Sequence, residues 1–236
     1  MKRKYLKSIL SLSIILLIIP ISIILGVWLF NDRKYNIISI VIALLSCVPF
    51  FIMFEKSKNT PRELVTIAIL TAFSVVGRII FSPIPGFKPV TAITIIVGIA
   101  LGAESGFMVG SLSAIISNIF FGQGPWTPFQ MFVWGIIGFI SGLFFSKKKN
   151  KKLIPILIVG LVGGVVYSLL MDIWTTISME GNFNWSRYLF YVSSSFLFML
   201  TYAVSNVVFL AILSKPFLNI INRIKVKYGV FNNNLE

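Results

Sequence analysis

Apolar runs of roughly 20 residues, separated by short polar or basic stretches, recur along the whole chain, and that is the length of helix needed to cross a bilayer's hydrocarbon core. The first runs from Ser8 to Phe30. Its basic start imitates a secretory signal, but it is too long for a signal core and lacks a small-x-small site before Asn31, so it reads as a retained helix. Ile37 to Phe54 returns across the membrane. Pro20 and Pro49 are tolerable kinks there, because neighbouring helices can satisfy the freed carbonyls. Glu55 to Arg62 is polar and turn-rich, and separates this pair from the later spans. Thr60, Pro61 and Glu63 read as a cap, a first-turn proline and an early acid, so a span starts near Arg62 and ends near Phe81. Pro83, Pro85, Gly86 and Pro89 then forbid continued helix.

Val90 to Phe121 taken as one helix would be about 48 Å long at 1.5 Å per residue, too long for one crossing without strong tilt. The run Gly102, Ala103, Glu104, Ser105, Gly106 marks a tight turn instead, predicting a short helix and then a fuller one in the opposite direction. Phe129 to Ser146, Leu153 to Asp172 and Tyr188 to Leu213 complete the alternation. The expectation is an all-α, polytopic membrane bundle of about eight helices. It divides into an N-terminal pair (1–61), a six-helix core (62–214) and a basic cytoplasmic tail (215–236).

Composition agrees. With 57% hydrophobic and only 12% charged side chains, and no charge between Leu153 and Met171, no soluble surface can be built. The formal charge of +14 invites a nucleic-acid reading, yet the basic residues flank spans. Four clusters, Lys2 to Lys7, Lys56 to Arg62, Lys147 to Lys152 and Lys215 to Lys227, hold 16 of the 21 Lys and Arg. Placing them in the cytoplasm satisfies the positive-inside bias, supports the Gly102 hairpin, puts both termini inside and removes any need for nucleic acid.

The chain has no histidine, which excludes His-ligated metalloproteases and Ser/His hydrolases. It has no GxxxxGK[ST] loop for ATP hydrolysis. Asp172, Glu104 and Glu63 are expected at helix ends, leaving no mid-membrane acid for a proton-coupled carrier. The lone Cys47 reads as a small apolar filler. No enzyme is expected.

On this topology the two Pro/Gly-rich breaks face outward together, and candidate ligand residues gather beneath them. Arg78 and Asn118 lie near the outer ends of their helices. Gln130 and Trp134 share a face, as do Ser168 and Asp172, while Tyr188, Tyr191 and Ser195 repeat at helical spacing. Lys88, Gln123 and Trp126 come from the breaks, and Trp174 and Trp185 stand at loop level. Such a set suits a small-molecule pocket of apolar walls with a few fixed polar groups. The alternative is an interfacial aromatic belt with Arg78 and Asp172 merely paired or hydrated at the membrane edge. Small residues form two stripes, Ala68 with Ala72, and Gly106, Gly110 with Ala114. Either stripe could serve internal packing, and the alanines could equally meet a partner subunit.

The segments RELVTIAILTA, FSPIPGFKPVTAI, GIALGAESGFMVGSLSAIISN and GQGPWTPFQM, in that order, resemble the substrate-binding S-components of energy-coupling factor (ECF) vitamin transporters, over Arg62 to Leu213. The resemblance implies a bacterial plasma-membrane protein that captures a vitamin at the outer face. The vitamin would be its transported ligand, with no permanently bound cofactor, and a transmembrane coupling subunit and two ATPase subunits would be its partners. It maps the coupling-subunit contact to Ala68 and Ala72. The motifs look most like cobalamin-type S-components, with riboflavin or another ring vitamin as the alternative. A non-transporting membrane scaffold is the reading from a different class.

Overall fold

The structure is a computed structural model describing residues 60–147 and 152–231, together with residues 44, 45, 47, 48, 51, 52, 54 and 55. The expected first helix and most of the second lie outside the described residues. Of the second, Cys47 is buried and free, and the Phe51 ring meets Phe107 edge-on at 6.1 Å.

The described chain is helical throughout: α1 Pro61–Ile80, α2 Val90–Leu101, α3 Ala103–Phe121, α4 Thr127–Phe145, α5 Leu153–Glu180, α6 Trp185–Ser194 and α7 Phe196–Tyr228. Five of these, α1, α3, α4, α5 and α7, are long and apolar enough to cross a membrane. The short α2 reverses between α1 and α3, which therefore run the same way, and α4, α5 and α7 alternate after them, so the bundle has a proline-loop end and a lysine end.

At the lysine end, α1 begins with the expected cap. The Glu63 amide donates to Thr60 Oγ1 (3.4 Å) and the Thr60 amide to Glu63 Oε2 (2.7 Å), a reciprocal box that satisfies two of the helix's free donors. The other Glu63 oxygen accepts the backbone N–H of Phe231, and Arg62 donates to the Tyr228 carbonyl at 3.5 Å. The end of α7 is thereby tied to the start of α1.

Gly102, at φ +106°, reverses the chain between α2 and α3 where the glycine-flanked stretch predicted it. Every residue of α2 is buried, and its sequence VTAITIIVGIAL is apolar on all faces, as a helix enclosed by others must be. At about 18 Å it is shorter than the hydrocarbon core. The preceding loop makes up the difference by packing along α7: Ser205 Oγ accepts the Lys88 N–H (2.8 Å) and donates to the Lys88 carbonyl (3.1 Å). Phe81 and Phe87 both pack on Phe209, at 4.9 and 5.0 Å. At its other end α2 is closed by Lys225, whose ammonium donates to the Ala100 carbonyl at 3.2 Å.

The junction of α2, α3 and α4 is built from glycine on glycine. A Cβ at Gly138 would lie 2.5 Å from the Gly106 carbonyl oxygen, and one at Gly106 would lie 2.6 Å from the Gly138 oxygen. Gly98 faces the same Gly138 carbonyl, and Gly110 backs onto the Trp134 and Gly135 backbone. The stripe Gly106, Gly110, Ala114 is therefore internal packing. Small residues permit this approach where van der Waals contact, not water, drives association.

Two elements differ from the sequence expectation. The α5 helix continues two turns beyond Asp172, to a left-handed Gly181 cap, so Asp172 lies inside a helix and is buried. The run expected as one span from Tyr188 to Leu213 is two helices, broken at Ser195. Asn184 starts α6 by accepting from the Ser186 and Arg187 amides (2.9 and 3.2 Å). The second, α7, runs through Lys215 and Pro216 to Tyr228. Basic residues near Lys215 mark a membrane boundary, not a helix end, and an apolar row including the buried Ile221 keeps the extension on the bundle.

The glycine junction predicts that Gly138→Ala costs about 1–3 kcal/mol of stability through overpacking. Gly163→Ala is the milder comparison, because its Cβ would meet a side-chain methyl, Ile137 Cγ2, at a tight 3.3 Å where Gly138→Ala runs into backbone. It should cost less than Gly138→Ala, with the gain in helix propensity offsetting part of the crowding. Thermal unfolding in detergent distinguishes the two.

Candidate ligand-binding site

Asn118 is the hub of a buried polar network at the proline-loop end. It is fully enclosed on α3, one turn before the Gly122 break. Its Oδ1 accepts from Arg78 Nη1 at 2.8 Å, and its Nδ2 donates to Thr127 Oγ1 and Gln130 Oε1, each at 2.9 Å. Both amide hydrogens are engaged, and the oxygen serves the cation, so the amide's orientation is set by its partners. Thr127 in turn donates to Gln123 Oε1 at 3.0 Å, and Gln123 Nε2 to the Ile115 carbonyl at 2.7 Å. The network thus fastens the GQGPW loop to the ends of α3 and α4.

Arg78 reaches this hub from the last turn of α1. Its neighbour Gly77 leaves the space filled by Pro89, whose Cγ would be 2.5 Å from a Cβ there. Arg78 is buried, donates to Ser117 as well as Asn118, and lies 4.6 Å from the Phe121 ring centre and 5.0 Å from that of Trp134. Its Nε has no hydrogen-bond partner among the described residues. The ion pair among the described residues is Arg187 with Glu180, at 3.4 Å, where α5 gives way to α6.

An aromatic wall continues from Trp134. Its indole stacks on Tyr167 at 5.5 Å and 10°, and Tyr167 meets Tyr202 edge-on at 4.9 Å. Tyr202 lies within electrostatic reach of both Arg78 and Asp172. Asp172 accepts from Ser195 Oγ at 2.6 Å, so Ser195, at the α6–α7 break, is its partner and Arg78 is not. The expected alternative of an Arg78–Asp172 pair is absent. Lys88, in the α1–α2 loop, is partly buried; burial and then the Arg78 charge hold its ammonium below its ordinary pKa.

Of the residues singled out in the sequence, Arg78, Asn118, Gln123, Gln130 and Trp134 form one connected group, with Lys88 beside it and Asp172 across the aromatic wall. Tyr188 lies near Asp172, its hydroxyl donating to the Leu169 carbonyl at 3.3 Å. Tyr191 turns away and donates to Glu180 at 3.0 Å. Trp126 folds over Gly124 and stays at loop level. Ser117, Phe121, Thr127, Tyr167 and Tyr202 were not foreseen. Ser117 could have been taken from its place beside Asn118, whereas the tyrosines sit in spans that look uniformly apolar.

Ala68 and Ala72 are exposed on α1, on a face shared with Val65, Ile69, Phe73 and Val76. That face is apolar, and its described contact with another helix is at its edge, where the Phe73 ring meets Phe217 of α7 at 5.8 Å.

A bundle of five apolar spans with a buried polar and aromatic cluster beneath one set of loops is a multi-pass membrane protein. The family model described as "ECF-type riboflavin transporter, S component" matches residues 58–223, and the chain belongs to that family. It is also 26% identical over 151 residues to the folate transporter FolT of Streptococcus mutans serotype c, covering 58% of this chain and 81% of that protein.

The hub position predicts a clear mutational asymmetry. Asn118→Leu strands Arg78, Gln130 and Thr127 together and should cost about 2–4 kcal/mol, since hydrogen bonds to a charge and buried orphaned groups are the costly cases. Gln123→Ala, on the exposed rim, should cost under about 1 kcal/mol. Chemical denaturation in detergent, read by tryptophan fluorescence, compares them.

Proposed function

We propose that this chain is the capture subunit of an ECF transporter for a flat ring vitamin of the riboflavin or folate kind. The ligand enters at the proline-loop end, which faces outward, and packs against the Trp134–Tyr167–Tyr202 wall with Asn118, Gln130 and Arg78 supplying directional contacts. Six helices, α1 to α5 and α7, form the core. The vitamin is cargo, not a resident cofactor.

The observation that carries this reading is the joining of a polar hub with a stacked aromatic wall in a chain of this family. Flat aromatic walls favour planar rings through offset and edge contacts. The corrinoid expected from the motifs has no support in the two related descriptions, which concern riboflavin and folate. Uptake would be powered by partners, a transmembrane coupling subunit and two ATPase subunits, docked through the exposed Ala68 and Ala72 face of α1. The lysine clusters support an orientation with the opposite end and both termini on the cytoplasmic side of a bacterial plasma membrane.

Co-expression with a coupling subunit and its two ATPases in a host lacking vitamin uptake tests the assignment. Energised accumulation of labelled riboflavin or folate is expected. Accumulation of cobalamin alone would reverse the choice of vitamin, and no accumulation together with no copurifying ATPase would favour a membrane scaffold. Ala68→Trp with Ala72→Trp should reduce uptake at least about ten-fold while ligand binding to the isolated chain stays unchanged, because close helix approach needs small residues. Loss of binding in that variant would assign the pair to internal packing.

A further inference from the structure

We propose that the captured molecule is an organic anion, whose carboxylate or phosphate is received by the guanidinium of Arg78 and the ammonium of Lys88. This rests on the capture reading above and names the charge of the ligand for the same site.

Arg78 is a cation enclosed by neutral partners. Its hydrogen bonds go to a hydroxyl and an amide oxygen, two rings flank it, and its Nε is left without an acceptor although the residue is only 6% exposed. A charge withdrawn from water into a helical bundle is ordinarily matched by an opposite charge, and leaving it unmatched is costly. The site's own carboxylate, Asp172, is held by Ser195 beyond the tyrosines. Lys88 adds to the imbalance. Its backbone N–H and C=O are both clamped by Ser205, which fixes where its side chain starts, and its ammonium has no hydrogen-bond or ion-pair partner among the described residues. It lies close enough to Arg78 for the two positive charges to oppose each other. A structural pin between α1 and α3 would need Arg78 alone and gains nothing from a second cation beside it. An anion placed between the two relieves the repulsion and can accept the orphaned N–H, whereas the carbonyl of a neutral ring can accept the N–H but leaves the repulsion in place.

Carboxylate and phosphate share this chemistry, and a set of three probes separates them from a neutral ring. Riboflavin is neutral, its 5′-phosphate ester carries the same ring with a phosphate, and folic acid carries carboxylates. Binding is measured by titration of the full chain in nanodiscs of zwitterionic lipid, so that no anionic headgroup competes. The phosphate ester, folic acid or both should bind at least about ten-fold more tightly than riboflavin, and that advantage should shrink as salt rises. Arg78→Gln should abolish the advantage, and Lys88→Gln, in a loop and outside the Asn118 network, should reduce it with folding intact. Equal or tighter binding of riboflavin overturns the proposal, as does an equal loss for neutral and anionic probes in both variants, or no binding of any probe to the wild-type chain. Copurification with the coupling and ATPase subunits is scored separately. An intact complex that prefers neutral riboflavin would refute the anion and keep the capture role, and a chain that forms no complex would refute the capture role itself.

Discussion

The close backbone approach of Gly98 and Gly106 to Gly138 constrains everything around it. Two helices joined by a single-residue reversal at Gly102 must run side by side, and a third can lie across both only if no side chain intervenes. Because α4 is seated this deeply, Ser111 Oγ reaches the Met131 carbonyl at 3.0 Å and the α3 and α4 ends come into register. That register is what brings Asn118 within bonding distance of Thr127 and Gln130. The geometry of the polar cluster at one end of the bundle therefore depends on packing in its middle.

The polar cluster then solves a problem the packing creates. Any hydrophilic group left among these helices must find its partners inside the protein. Asn118 does so completely, and Arg78 only in part. Thr71 and Ser74 of α1 and Ser113 of α3 also carry buried hydroxyls with no hydrogen-bond partner among the described residues. A stripe from Thr71 through Ser74 to Arg78 thus runs up the inner face of α1 with less hydrogen bonding than its burial would ordinarily demand.

Helix boundaries set by proline and glycine were legible in the chain: the Thr60 cap, the Pro83–Pro89 break, the Gly102 reversal and the GQGPW loop all lie where local chemistry puts them. Arg78, Asn118, Gln130 and Trp134 were legible as a site because polar residues in apolar spans are conspicuous and their spacing gives a face. What could not be read is anything decided by contact across helices. Tyr167 and Tyr202 join the wall only because α5 and α7 cross there, and Tyr191 leaves it because α6 is a separate helix whose start is set by Asn184. The continuation of α5 past Asp172 and of α7 past Pro216 was hidden for another reason. Hydropathy reports where a helix leaves lipid, and these helices extend beyond that level.

The arrangement gives α1 a particular place. Its inner face carries Arg78, the cation of the buried polar cluster, and its outer face carries Ala68 and Ala72, ten and six residues earlier on the same helix. Its start is held by the Glu63 and Arg62 contacts to the end of α7, and its far end by the Arg78 contacts to α3. Between those two anchors the inner face buries Ile67, Leu70 and Val75 in the core alongside the hydroxyls of Thr71 and Ser74. Both faces belong to one helix held at its two ends, so a displacement of Arg78 would be carried by the same element that presents the apolar face.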